Sequence, residues 1–468
     1  MKLLGLVAAL LITPTPVAAA PVAHSCAAQT SLGVVAGRAA DSLCVYRGIP
    51  YASAPRQQPP VPARAWSGTF QATDSTAVCP QFRDTISEEY PDDKQVYLDE
   101  DCLRLNVWAP RRPGRHPVLV FVHGGAARFG TANEPRYSGA KLAGDAVVVT
   151  LNYRLGLLGA NNNFLRDQMT ALEWVQAHIG SFGGDPRNVT AMGESEGAFS
   201  LSAMLATDNP QHLFRRVVLQ SGSGYMVHSR PRPPVDLTGL STLEILQLQE
   251  QMVGADPLTG AVYFGPYVDG TLVRQPVIDA VRSGNARGID VLIGSNRDEM
   301  RYFAQFDPDI LRLTLAEYRV FFPAQLDLDQ VARVYGNDVL AMLTDQTMRV
   351  PATRLAEAQS RWARSYVYQF DWGPAVHTAE LPFVFGTLSF TGIPGGAEAF
   401  RADSAGARAL SDQMRHAWTS FVRTGNPGWP GYRFGRSTKL WNTPPSLVSA
   451  PGEARRAAWD AFDFRSFV

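Results

Sequence analysis

The segment from residue 188 to residue 205 constrains the fold more than any other part of the chain. Asn188–Met192 predicts a buried strand, Gly-Glu-Ser-Glu-Gly follows at 193–197, and the small and apolar residues of Ala198–Leu205 predict a helix. In this arrangement the glycines make room for a sharp turn that exposes a serine at the strand's end, and the helix N-terminus favours negative charge there. Ser195 is therefore a candidate nucleophile, with a purely structural turn as the alternative.

Other short apolar runs predict an α/β fold with a mostly parallel sheet. Nearly continuous apolar strands separated by helices are typical of a sheet that is covered by helices on both faces. Helices are predicted at Leu165–His178, before the breaker at 183–186, and at Ser241–Met252, where Ser241 and Glu244 form a capping box. We find no internal repeat and no interdomain linker, so one domain over residues 24–468 is the simplest partition. The predicted strands are Pro117–His123, Asp145–Tyr153, Asn188–Met192, Arg216–Leu219, Asp290–Ser295 and Ser365–Asp371.

Composition excludes several classes of protein. The 468 residues include 45% hydrophobic and 18% charged side chains, which is ordinary for a globular protein and argues against disorder and against a coiled coil. Lys plus Arg and Asp plus Glu both number 43, and there is no long basic run. We therefore expect no nucleic-acid partner.

The N-terminus predicts export. Lys2 is followed by an apolar run over 3–12 and by a small-residue stretch ending at Ala18–Ala20, the layout of a signal peptide at residues 1–23. The run is shorter than a membrane span needs, and no later segment qualifies, so we expect a secreted protein without stable membrane insertion.

The four cysteines lie in the first quarter of the chain, at Cys26, Cys44, Cys79 and Cys102. An even number in an exported chain indicates disulfides. Sequence order allows three pairings, of which the sequential one makes two local loops, and we expect Cys26 with Cys44 and Cys79 with Cys102. A metal site is the weaker alternative, because no Cys-x-x-Cys or paired histidines accompany them, and we expect no metal.

A second glycine-rich turn follows the strand at Pro117–His123. It reads His-Gly-Gly-Ala at 123–126, and residues with little or no side chain let backbone N–H groups approach a substrate oxygen. The N–H groups of Gly125 and Ala126, with that of Glu196 after the serine, are the candidate oxyanion hole. His123 is expected to support this loop, and a structural turn is the alternative.

With these motifs the sequence resembles the type B carboxylesterase and cholinesterase family. The resemblance runs through most of the chain after the signal peptide. The matching segments are Gly48–Ala52, Glu100–Leu103, Leu105–Trp108, Asn152–Gly156, Phe182–Pro186, Gln220–Ser223, Val268–Gly270, Leu381–Gly386 and Thr424–Pro427.

The resemblance implies an α/β-hydrolase and the two partners of the serine. The family's acid follows an Asp just after a strand and turn, which selects Glu299, with Asp298 as the alternative. The family's histidine precedes an apolar segment, which selects His377. The chain order serine, acid, histidine is that of α/β-hydrolases, and the family also pairs Cys79 with Cys102.

The chain departs from the family beside each catalytic position. The usual Ala after the serine is Glu196, and the usual Gly residues after the acid and the histidine are Met300 and Thr378. Glu196 is expected either to face the pocket as a carboxylate or to bond a nearby Arg or backbone donor. The stretch between Ser223 and Val268 is shorter than usual, which predicts a trimmed cap.

Together these features predict a serine carboxylic-ester hydrolase that acts on a small-molecule ester through an acyl-enzyme, without a cofactor. A lactonase or an acyltransferase on the same residues is one alternative. A binding protein that keeps the fold without the chemistry is the other, because fold alone does not establish activity.

Overall fold

The computed structural model describes residues 26–74, 77–82, 97–232, 234–254, 263–319 and 326–465. The predicted signal peptide, residues 1–23, lies outside the described residues. The strands are β1 (Ala27–Thr30), β2 (Gly33–Ala36), β3 (Arg38–Ala40), β4 (Leu43–Pro50), β5 (Ala52–Ser53), β6 (Val61–Pro62), β7 (Thr69–Gln71), β8 (Ala77–Val78), β9 (Tyr97–Leu98), β10 (Arg104–Pro110), β11 (His116–Val122), β12 (Val147–Leu151), β13 (Gly184–Glu194), β14 (Arg216–Gln220), β15 (Asp290–Asn296), β16 (Ser365–Phe370), β17 (Ser437–Trp441) and β18 (Ser446–Ser449).

The α-helices lie between these strands and after them. A π-helical turn, Asp345–Arg349, joins two of them, and a 3₁₀-helix, Glu299–Gln305, follows β15. The α-helices are α1 (Asn163–His178), α2 (Glu196–Met204), α3 (Thr242–Gly254), α4 (Val277–Arg282), α5 (Leu315–Arg319), α6 (Leu328–Val334), α7 (Val339–Thr344), α8 (Val350–Gln359), α9 (Leu381–Phe385), α10 (Gly396–Ala402), α11 (Ser404–Thr424) and α12 (Glu453–Ala458).

One large sheet organises the described chain. Its strand order is β18-β17-β16-β15-β14-β13-β11-β12-β10-β4-β3. The strands from β12 to β17 pair in parallel, and the strands at both edges pair antiparallel. The predicted α/β architecture is confirmed, and each predicted strand lies on an observed one.

Strand β13 begins earlier than predicted, at Gly184 instead of Asn188. Its pairing with β11 shifts between His116↔Gly184 and Val118↔Val189, so the intervening residues bulge out of the ladder. Pro186 lies in the bulge, where its lack of an N–H removes no hydrogen bond between the strands.

The side chains of β11 show how the sheet is covered on both faces. Val118, Val120 and Val122 pack in one core with residues of α1, α2, α4 and α8. Leu119 and Phe121 point to the opposite face and pack in a second core with α9 and α11. This alternation follows from the two-residue period of a strand and explains why β11 is apolar throughout.

All three predicted helices form, as α1, α2 and α3. In α3 the hydroxyl of Ser241 donates to Glu244 at 2.6 Å and accepts from the N–H of Glu244 at 3.3 Å, which is the predicted capping box. Among the described residues no helix combines the length and apolarity needed to cross a membrane.

A buried ion pair ties α1 to the turn after β12. The guanidinium of Arg154 donates to both oxygens of Asp167, at 2.9 and 2.7 Å, and both side chains are almost fully buried. Two directed hydrogen bonds offset part of the cost of burying both charges. The pair holds α1 beside the strand ends where the candidate site lies.

Two disulfides close local loops near the N-terminus. Cys26 is bonded to Cys44 and Cys79 to Cys102, with sequence separations of 18 and 23 residues. The pairing is the predicted sequential one. Cys44 lies on β4 of the large sheet, so the first bridge attaches the N-terminal hairpin to that sheet.

Replacing Cys26 and Cys44 by serine should lower the free energy of unfolding by about 3 kcal/mol, because the bridge restricts the unfolded chain. Urea denaturation measures the loss, and the pair Cys79 and Cys102 should give a similar one. Non-reducing peptide mapping tests the pairing itself. Free thiols at all four positions in protein from the native host would contradict it.

Candidate active site

Ser195 occupies a strained turn between β13 and α2. Its φ of 55° and ψ of −123° lie outside the regions that a side-chain-bearing residue normally adopts. A Cβ on Gly193 would lie 2.4 Å from the backbone of Gly197, and one on Gly197 would lie 2.1 Å from the carbonyl oxygen of Val122. Both glycines are therefore required by close backbone packing, and the turn holds Ser195 half-buried at the sheet's edge.

His377 and Glu299 form a buried pair at the same edge. Glu299 follows β15 and His377 follows β16, so they share with Ser195 the carboxyl end of the parallel sheet. His377 Nδ1 lies 2.6 Å from Glu299 Oε2, and the side chains are 4% and 0% exposed. The other oxygen of Glu299 accepts from the backbone N–H of Asn296 at 2.6 Å. Both oxygens are thus held, and the carboxylate sets the ring's orientation.

Asp298, the alternative acid, points elsewhere. It accepts from Arg297 at 2.8 Å, and its side chain is 31% exposed. The structure therefore places Glu299, and not Asp298, against the histidine.

Glu194 is a second carboxylate beside the histidine, and the sequence analysis missed it. Its Oε1 lies 3.3 Å from His377 Nε2, and its side chain is 2% exposed. Burial raises the pKa of Glu194 to about 8, partly offset by His377. The sequence did hold a clue to its position near the site, because Glu194 directly precedes the candidate nucleophile.

A third buried carboxylate, Glu380, completes the group and was also missed. Gln220 Nε2 donates to its Oε1 at 3.0 Å, and Asn296 Nδ2 donates to its Oε2 at 2.6 Å. Burial and the nearby Glu299 raise its pKa. Its position three residues after His377 was the available signal.

The net effect of these carboxylates on His377 is strong. Burial by itself lowers the pKa of the ring, but the charge of Glu194 and the hydrogen bond to Glu299 outweigh burial and raise it to about 9. Opposite charges at both ring nitrogens favour the imidazolium form.

The predicted oxyanion loop lies directly against Ser195. A Cβ on Gly124 would be 3.0 Å from Ser195 Cβ, so this glycine is needed for the approach. Gly125 and Ala126 have φ of 108° and 54°, left-handed conformations that turn the backbone sharply. The N–H of Glu196 is the first of α2 and has no acceptor within the helix. These are the three predicted donors.

His123 supports this loop. Its Nδ1 lies 2.8 Å from the carbonyl oxygen of Gly124, and its own carbonyl oxygen accepts from the Tyr153 hydroxyl at 2.9 Å. Burial lowers the pKa of His123 to about 4, so the ring is neutral at neutral pH. Its position agrees with the predicted supporting role.

Two aromatic rings cover His377. The ring centroids of Tyr302 and Phe303 lie 5.7 and 5.4 Å from that of the histidine, and both residues are partly exposed. By contrast, Phe264, Trp372 and Phe383 are buried core residues.

The three departures from the family adopt different roles. Met300 is buried and packs in a third core that includes Phe199 of α2. Thr378 has φ of 69°, the conformation that favours the glycine usual at that position. Glu196 is 0% exposed and accepts from Ser200 Oγ at 3.3 Å. Glu196 is bonded, as one of its two alternatives held, but the donor is a hydroxyl of the same helix and not an Arg or a backbone N–H.

No group of His, Cys, Asp and Glu in the described part of the chain is arranged to hold a metal ion. The groups at the site are a hydroxyl, an imidazole, carboxylates and backbone N–H groups.

Comparisons with known proteins identify the family. The carboxylesterase family profile matches residues 24–237 and 312–445. The chain is 34% identical to a para-nitrobenzyl esterase of Bacillus subtilis over 91% of its length and 97% of that protein. It is 30% identical to a fumonisin B1 esterase of Sphingopyxis macrogoltabida, covering 94% and 90% of the two chains. A carboxylesterase structure from Geobacillus stearothermophilus superposes with a TM-score of 0.81 at 33% identity, covering 93% of this chain and all of the other. The chain therefore belongs to the carboxylesterase family, as an ester-hydrolysing enzyme with the α/β-hydrolase fold.

Proposed function

We propose that the chain hydrolyses carboxylic esters of small molecules in two steps through an acyl-enzyme on Ser195. The observation that carries the proposal is the convergence of a strained serine and the His377–Glu299 pair at the carboxyl ends of β13, β15 and β16. A nucleophile, a base and a group that orients the base are the parts that acyl transfer requires.

In the first step, Ser195 Oγ bonds to the ester carbonyl carbon and its proton passes to His377 Nε2. The negative charge on the carbonyl oxygen is met by the backbone N–H groups of Gly125, Ala126 and Glu196. The carbon–oxygen bond to the alcohol then breaks, and the alcohol leaves with the proton from His377. Water, activated by the same ring, releases the acid in the second step.

Glu299 has the role of orienting the ring and stabilising the imidazolium. It holds Nδ1 at 2.6 Å and is itself held by the N–H of Asn296, so Nε2 is the ring nitrogen that would take the proton of Ser195 once the ring is neutral.

The partly exposed rings of Tyr302 and Phe303 provide an apolar surface beside the proposed base. A neutral ester with an apolar or aromatic group would bury that group here, and one relative of the chain is a para-nitrobenzyl esterase. We also propose export, because two disulfides persist where the environment is oxidising.

Labelling tests the nucleophile. A fluorophosphonate should modify Ser195 in the folded protein, found by peptide mass spectrometry, and labelling should be lost after heat unfolding. Ser195→Ala and His377→Ala should each lower hydrolysis of p-nitrophenyl acetate by several orders of magnitude while circular dichroism stays unchanged, because such residues act as a unit. No labelling at any serine would favour a binding protein instead.

The acid is tested by two substitutions at adjacent positions. Glu299→Gln should lower kcat by about three orders of magnitude or more, since the amide cannot stabilise the imidazolium. Asp298→Asn removes a neighbouring charge that is paired with Arg297, and it serves as the matched control with a much smaller effect. A larger loss in Asp298→Asn would transfer the role to that residue.

The charge of Glu194 should set the acidic limb of the pH profile. His377 must be neutral to accept the serine proton, and a pKa of about 9 keeps the ring protonated at neutral pH, so turnover should rise with pH. Glu194→Gln removes the charge 3.3 Å from Nε2. It should lower the pKa of His377 and shift the acidic limb of kcat/KM to lower pH by about 1 pH unit or more.

The comparison for this prediction is Glu380→Gln. Glu380 contributes less to the pKa of His377 than Glu194 and Glu299 do, so its removal should shift the limb less. An acidic limb that stays in place in Glu194→Gln would contradict the electrostatic role of that carboxylate.

A further inference from the structure

The side chain of Glu196 occupies a closed polar pocket behind the nucleophile, and the proposed reaction does not use its carboxyl group. Ser200, one turn later on α2, donates to Glu196 Oε1 at 3.3 Å. Gln168 on α1 donates to Ser200 Oγ at 3.2 Å. All three side chains are fully buried. The chain of donors runs from Gln168 to Ser200 to Glu196 and ends on the carboxyl group.

Among the described residues, no positive charge lies near Glu196 to balance a carboxylate. The titratable side chain that faces Glu196 among the described residues is Tyr153, whose phenol is uncharged and donates its proton to the carbonyl oxygen of His123. From α1, Gln168 faces the pocket, while its neighbour Asp167 is bound by Arg154. A buried carboxylate with one long hydrogen bond and no cation is costly, whereas the neutral acid is not.

Two buried oxygens without hydrogen-bond partners also indicate that Glu196 is protonated. Glu196 Oε2 and Gln168 Oε1 are both buried without a hydrogen-bond partner among the described residues. A proton on Glu196 converts an unmatched acceptor into a donor, while ionisation would leave a charged acceptor unmatched.

We propose that Glu196 is a positioning residue that carries a proton in the active enzyme, and that loss of this proton weakens the oxyanion hole. The inference rests on the proposed function for its second half. Burial, opposed only by the Ser200 hydrogen bond, raises the pKa of Glu196 to about 8. The proton is therefore retained at neutral pH and lost in mildly alkaline solution.

The link to catalysis is the position of Glu196 in the chain. Its backbone N–H is a proposed oxyanion donor, and its side chain branches from the same residue at the N-terminus of α2. The helix N-terminus favours the negative charge that forms on the substrate oxygen. A carboxylate on the first residue of that helix would oppose this charge across a low-dielectric interior. The expected loss is on the order of 10-fold to 100-fold in kcat/KM.

The first test needs no substrate and compares the thermal unfolding of the wild type with Glu196→Gln, a neutral isostere. Because the folded pKa of Glu196 is raised, its contribution to stability is fully present below its unfolded pKa of about 4.5 and is lost as the pH rises towards 8. The Tm of the variant minus that of the wild type should therefore increase between about pH 5 and pH 8, on the order of 5 °C in total, and then level off. Glu173→Gln on the exposed side of α1 is the control and should show no such trend.

The second test measures kcat/KM with p-nitrophenyl acetate from about pH 6 to pH 10. The ratio of Glu196→Gln to wild type should rise about 10-fold or more, while the ratio for Glu173→Gln stays flat. The titration of His377 and Glu194 occurs in both proteins, so the ratio isolates Glu196. Infrared difference spectra of wild type against Glu196→Gln should show the C=O stretch of a protonated carboxylic acid at pH 7.

The outcomes separate the two halves of the proposal. A Tm difference independent of pH, with no protonated-acid band, would overturn it, because Glu196 would then be ionised throughout. A Tm difference that grows with pH beside a flat rate ratio would overturn the link to the oxyanion hole. A wild-type protein that hydrolyses no ester and takes no fluorophosphonate would defeat the proposed function, and the melting curves and infrared band would still decide whether Glu196 carries the proton.

Discussion

The contact between the turn at Ser195 and the end of β11 is the constraint on which the site depends. The backbone of Gly197 lies so close to the carbonyl oxygen of Val122 that any side chain would collide with it. This contact places α2 against the sheet and forces the intervening serine into left-handed backbone geometry, which costs about 1–3 kcal/mol and persists because the packing around it determines the turn. Gly222 adds to the constraint, since a Cβ there would lie 2.5 Å from Ala198 and 2.9 Å from the carbonyl oxygen of Ser195.

Buried acids dominate the electrostatics around this turn. Three carboxyl groups surround His377, those of Glu299, Glu194 and Glu380. Each has different partners. Glu299 is held by a backbone N–H and the ring, Glu380 by two side-chain amides, and Glu194 lies 3.3 Å from the other ring nitrogen of the histidine. Carboxylates at both ring nitrogens raise the pKa of His377, so the resting site favours a positive charge on the ring that must be neutral to act as the proposed base.

Glu196 is a fourth buried acid near this turn, and it is accommodated in a different way. It has neither a cation nor an amide to hold its charge, and a neutral acid is the state that its pocket accommodates at least cost. Thr378 is also in an unfavourable state, but here the strain is in its backbone. It takes a left-handed conformation in which a β-branched residue is strained, and it does so next to His377 in the candidate active site.

The sequence by itself determined the strands, the turn at Ser195, the selection of His377 and the segment that holds the acid, and it favoured the disulfide pairing that the structure has. These features depend on local periodicity, on glycines at fixed spacing, and on motifs that resemble one family. Only the tertiary structure decided which of two adjacent acids faces the ring, because Asp298 and Glu299 differ in direction and not in chemistry. It also revealed Glu194 and Glu380 beside His377, and the inward direction of Glu196. Those contacts join residues on different strands and helices, and the distance between their side chains is set by how the sheet and helices pack and not by spacing along the chain.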